Sequence, residues 1–153
     1  MKLRLLSVFA IILTSASLAS CTEGPVSSPS VSSTEENNLF FSKYFESGSV
    51  SNNCLELYNN SDNDISLKNY IISIYQNGSK VSDIDIELDG IIKSKDYFVI
   101  STNSSSVDLI NEKADLKLDN LLFNGDDAIV LKKGGQVVDA LGDYLNGSGS
   151  EFG

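Results

Sequence analysis

The sequence predicts an all-β sandwich over residues 39–145, on the strength of three observations. Eight short runs rich in Ile, Val, Leu, Tyr and Phe recur along this stretch, and turn signals separate them. Within the runs, apolar and polar residues alternate with the period of two that sends successive side chains to opposite faces of a sheet. The length suits one domain and is too short for two.

The predicted strands are 39–45, 54–59, 70–76, 84–88, 97–101, 116–123, 128–132 and 137–141. Asn77-Gly78 and Gly134-Gly135 are hairpin signals, Asp89-Gly90 and Asn124-Gly125 mark turns, and residues 59–64 form a polar loop. Residues 107–113 suit a single helical turn. Leu55 and Leu57 share one face and point inward, which sends Glu56 and Tyr58 outward to solvent. Ile84, Ile86 and Leu88 are likewise buried, leaving Asp83, Asp85 and Glu87 as a stripe on the outer face. Same-face carboxylates along a strand stand nearly 7 Å apart, roughly two rises of 3.3 Å, so the stripe reads as solvated surface and not as a calcium site.

Two cationic residues, Lys2 and Arg4, precede an apolar run over residues 5–13, the layout of a secretory leader. At about 1.5 Å per residue that run is roughly 14 Å long, half of what a membrane-spanning helix needs. Leu18-Ala19-Ser20-Cys21 follows and resembles the lipobox of bacterial lipoproteins. The resemblance implies a signal peptide over 1–20, diacylglyceryl transfer to the Cys21 sulfur and cleavage before it. The protein is then expected at the cell envelope, its domain outside the cytoplasm and its membrane contact made by lipid. One acyl chain alone binds marginally, at about 0.8 kcal/mol per methylene, whereas two or three hold firmly.

Residues 21–38 are rich in Ser, Thr, Glu and Asn and carry both prolines, Pro25 and Pro29. They are expected to form a flexible tether with a root-mean-square span of about 25 Å. Losing Lys2 and Arg4 with the leader leaves 9 basic against 21 acidic side chains, a net charge of −12. So acidic a chain is not expected to bind nucleic acid or anionic lipid through a basic patch.

Leu55-Glu56-Leu57-Tyr58-Asn59, then Leu67 and Tyr70, then Tyr97-Phe98-Val99-Ile100 fall in a characteristic order. They are followed by Asn124-Gly125-Asp126-Asp127-Ala128-Ile129-Val130-Leu131, Val138-Asp139 and Gly142. In order and approximate spacing the series resembles the lamin tail domain. The resemblance implies an immunoglobulin-like β-sandwich, which in bacteria occurs on secreted and membrane-anchored proteins and often accompanies extracellular nuclease or phosphatase domains. At Glu56 and Tyr58 the family commonly carries polar or aromatic residues, and it tends to place an Asp at the position of Asp139. The absence of Trp argues against an antibody-type core.

The same segments have readings of their own. Asn124, Asp126 and Asp127 suit a tight turn, with Gly125 free to take positive φ and carboxylate side chains bonding back to the backbone. Asp139, between Val138 and Ala140, suits a side-chain bond to a nearby backbone N–H. Glu56, Tyr58, Asn124, Asp126, Asp127 and Asp139 are thus the candidate binding or structural residues, with Cys21 the lipidation site.

Catalysis is disfavoured by inventory. The chain has no His, so no Ser-His-Asp triad, Cys-His pair or His-ligated zinc can be built. Cys54 would be the one thiol left after lipidation, and it reads as inert. Asp126 and Asp127 are neighbours that project to opposite faces. There is no Gly-rich phosphate loop, so no cofactor or metal is expected. The reading is a non-catalytic binding or spacer module, its partner a protein or a glycan and its oligomeric state open. The alternative is a structural lipoprotein or the N-terminal anchoring piece of a larger secreted enzyme, such as a nuclease or phosphatase. Residues 146–153 read as a disordered tail or a linker.

Overall fold

A computed structural model describes residues 38–146 apart from 47 and 49. The leader, Cys21, most of the tether and the last residues of the tail lie outside the described residues. Ten strands follow one another: β1 (Leu39–Phe45), β2 (Cys54–Asn59), β3 (Ile65–Ser66), β4 (Tyr70–Tyr75), β5 (Ile84–Glu87), β6 (Ile91–Ile92), β7 (Tyr97–Thr102), β8 (Leu116–Leu118), β9 (Ala128–Lys133) and β10 (Gln136–Leu141). Among the described residues one α-helix, α1 (Asp108–Lys113), lies between β7 and β8.

The strands form two four-stranded sheets in the orders β1-β2-β7-β8 and β10-β9-β4-β5, while β3 and β6 make a separate two-stranded ribbon. All pairings are antiparallel except β7 with β8. Leu55 and Leu57 of β2, Ile100 of β7, Ile72 and Ile74 of β4 and Ile129 and Leu131 of β9 are fully buried and join one core cluster. Alternation on facing strands supplies the two inner surfaces of a sandwich. Gly134 and Gly135 both take positive φ, 56° and 83°, as a two-residue turn of the type favoured between twisted antiparallel strands requires.

Four sequence expectations are revised. The run 116–123 is strand only to Leu118. Beyond it the chain leaves the sheet, and Leu121 and Phe123 enter the core from a loop. The buried Asn53 side chain supplies the missing strand partner, donating from Nδ2 to the Leu121 carbonyl (3.2 Å) and the Phe123 carbonyl (2.7 Å). The pair β3 and β6, two residues each, is too short for a period to show. Gly125 does not use positive φ; the turn closes instead through Asp127 N–H to the Asn124 carbonyl at 3.1 Å. Asn77-Gly78 lies in a 3₁₀ turn within a longer link between β4 and β5, with Asn77 itself at φ 50°.

A candidate recognition face

The outer face of the β1-β2-β7 sheet carries a row of aromatic rings. Register puts Phe40, Tyr58 and Tyr97 opposite one another across three strands. Phe40 meets Tyr58 edge-on with centroids 5.8 Å apart, and Tyr58 lies against Tyr97 at 4.8 Å with planes tilted by 31°. Such contacts are worth about 0.5–1.5 kcal/mol beyond burial. Tyr97 remains 50% exposed.

Beside this row sits Glu56, where the sequence expectation needs correcting. Its side chain does point outward, but the residue is only 8% exposed. The cover comes from β1, whose register slips between Phe41 and Lys43. The slip is a bulge, an extra residue that re-aims its neighbours. It brings the Ser42 hydroxyl to Glu56 Oε1 at 2.8 Å and the Lys43 ammonium to both carboxylate oxygens at 2.9 Å. The bond to Glu56 holds the Lys43 ammonium above its ordinary pKa. Lys43 Nζ also stands 5.4 Å from the Tyr97 ring centre, so cation, carboxylate and ring form one unit.

Helix α1 turns this face into a groove of about 700 Å³. Cys54, Glu56, Tyr97 and Val99 line it from the sheet, Leu109 and Ile110 from the helix. Its charged rim is Lys43, Asp96, Lys113 and Asp115. Leu109 is 65% exposed, much for a leucine beside a concave surface. Burial pushes the Cys54 thiol above its ordinary pKa, with Glu56 adding to the effect, so it is a poor nucleophile at neutral pH.

The remaining candidate residues lie elsewhere, and of these Asp127 and Asp139 bond to backbone N–H groups. Asp127, 3% exposed, accepts the N–H of Asn77 (2.7 Å) and of Asn124 (2.9 Å), joining two turns 50 residues apart. Burial raises its pKa against the lowering by those two bonds. Asn124 is exposed, and Asp126 is half-buried with one carboxylate oxygen, Oδ1, buried and unbonded. Asp139 accepts the N–H of Phe41 through Oδ2 (2.8 Å) and of Ala140 through Oδ1 (2.9 Å). The structure therefore places Glu56 and Tyr58 together and the other four away from them. Among the described residues no three acidic or Cys side chains are placed to hold a metal ion.

Sequence reasoning did not single out the wall formed by Leu109 and Ile110. The available signal was an apolar pair inside an otherwise polar six-residue helix, DLINEK. Nor was Asn59 recognised as a buried knot. Its Nδ2 donates to the carbonyls of Asn63 and Lys93 and its Oδ1 accepts the Ser61 N–H, closing the loop after β2. Among the described residues no helix is long and apolar enough to cross a membrane.

Two comparisons bear on this geometry. The model of the lamin tail domain family matches residues 32–144, nearly all of the described sandwich. No curated protein matches the chain.

Proposed function

Because the chain belongs to the lamin tail domain family, an immunoglobulin-like fold, we propose that it is a non-catalytic binding module held at a bacterial cell envelope by lipid on Cys21. In this reading its partner is met by the outer face of the β1-β2-β7 sheet.

One observation carries the choice of face. The groove beside α1 combines a half-exposed tyrosine, an exposed leucine and fixed charged groups in one concavity. Concave, mostly apolar surfaces with a few placed polar groups are where ligands bind. Tyr is also among the residues enriched in the energetic centres of interfaces. Of the other candidate carboxylates, Asp127 and Asp139 are occupied by backbone donors and serve the fold, and Asp126 lies in the turn with Asp127, away from this face. Anchoring is supported by the leader and the sequence Leu18-Ala19-Ser20-Cys21.

The test joins anchor to face. Wild type is expected to incorporate labelled palmitate and to partition into detergent, and Cys21→Ser to do neither. Capture from solubilised envelopes is expected to be retained by Cys21→Ser and lost by Tyr97→Ala. Equal capture by Tyr97→Ala and wild type contradicts the choice of face, and labelling of Cys21→Ser contradicts the anchor.

A further inference from the structure

Within the reading just given, on which this inference rests, we propose that the groove receives a short peptide segment of a partner protein, an aliphatic side chain flanked by lysine or arginine. The shape of the walls favours an aliphatic insert. Leu109 and Ile110 face the groove from α1, and Val99 lies on its floor. The Tyr97 ring is packed against Tyr58 at 4.8 Å and approached by the Lys43 ammonium at 5.4 Å, so it is not a free flat platform of the kind a sugar ring stacks on. The most open apolar surface in the groove is the branched aliphatic side chain of Leu109, more exposed than Tyr97.

Charge selects the flanks. The cation at one end, Lys43, is held by both oxygens of Glu56. The cation on the helix, Lys113, lies 3.9 Å from Glu112. Asp96 and Asp115 are exposed on the rim. Each bonds one backbone N–H through one oxygen, Tyr97 N at 2.9 Å and Val99 N at 2.8 Å. A carboxylate holds more acceptor sites than one such bond uses. The groove's own lining carries three carboxylates, Glu56, Asp96 and Asp115, against two ammonium groups, Lys43 and Lys113, and the chain without its leader carries −12, so charge favours cationic over acidic partners. An apolar anchor with basic neighbours satisfies walls and rim together.

The experiment screens the full chain in detergent micelles against a displayed random heptapeptide library and, in parallel, against a neutral and acidic glycan array. Wild type is compared with Leu109→Asp, Asp96→Lys and, on the other sheet, Val137→Ala. Expected is a selected consensus of one aliphatic residue with adjacent Lys or Arg. Its synthetic peptide should bind wild type and Val137→Ala alike. Binding should be about tenfold or more weaker to Leu109→Asp and to Asp96→Lys, and several-fold weaker to wild type at high salt. Unchanged circular dichroism spectra certify the folds of the variants, and either variant alone suffices. An acidic consensus, or one indifferent to both variants, overturns the proposal. Glycan binding without a peptide consensus, lost in Leu109→Asp, overturns the peptide while leaving the recognition face standing. Neither kind of binding overturns both.

Discussion

Phe41 and Asp139, 98 residues apart, are joined by a 2.8 Å hydrogen bond from the Phe41 N–H to Asp139 Oδ2. Phe41 lies on β1, the edge strand of one sheet, and Asp139 on β10, the edge strand of the other. The β10 register slips between Val137 and Asp139, as the β1 register slips between Phe41 and Lys43. A bulge in each edge strand accompanies the bond that closes this side of the sandwich.

Removing that carboxylate strands two backbone N–H groups, those of Phe41 and Ala140. Asp139→Ala is expected to lower unfolding free energy by about 1–3 kcal/mol, and Asp139→Asn by less because it keeps one acceptor. Urea denaturation monitored by circular dichroism measures both. An Asp139→Ala midpoint equal to wild type means the bond contributes nothing to stability.

Leu57 and Glu56, neighbours on β2, are expected to differ in what their side chains contribute to stability. Leu57 is fully buried, and Leu57→Ala is expected to cost about 2–5 kcal/mol. Glu56→Ala, which removes the bonds to Ser42 and Lys43, is expected to cost about 1–2 kcal/mol, more than the roughly 0.5 kcal/mol of an exposed site. Thermal melts of the two variants decide it. A Glu56→Ala melt indistinguishable from wild type shows the pair to be surface decoration.

Much of the fold was legible because β1 and β2 are runs closed by turn residues, and their observed limits coincide with those of the runs. Period two also assigned the faces of Leu55, Leu57, Ile86 and Leu88. It could not show what covers a face, because the cover of Glu56 depends on a bulge one strand away. Nor could it separate strand from core-filling loop at Leu121 and Phe123, where the same apolar residues serve both. The groove was the least legible feature, since its lining comes from β1, β2, β7 and α1 and only the fold brings them together.

Asp127 sets a pH dependence of defined sign. Burial lifts its folded pKa above the ordinary 3.8, so the unfolded chain ionises it first and its ionisation opposes folding. The difference in stability between wild type and Asp127→Asn is therefore expected to shift in favour of wild type as pH falls through the raised value toward 3.8. Below that range the difference levels off. Urea titrations of both proteins at a series of acidic pH values measure it. A difference that moves the opposite way means that the backbone bonds outweigh burial.

Cys54 offers a chemical check on burial. In Cys21→Ser, alkylation of Cys54 by a maleimide at neutral pH is expected to be at least tenfold slower than that of free cysteine, and to recover in urea. Equal rates in the native protein contradict the raised pKa and the half-buried placement of the thiol.

The central claim, that this molecule works by presenting the outer face of the β1-β2-β7 sheet, is tested most directly by crosslinking in living cells. A photoreactive phenylalanine is placed at Tyr97 in one strain and at Val137, exposed on the other sheet, in a second. Irradiation is expected to yield a discrete higher-mass adduct from position 97, abolished when Leu109→Asp is added, and none from position 137. Adducts of equal yield from both positions, or from 137 alone, contradict the account.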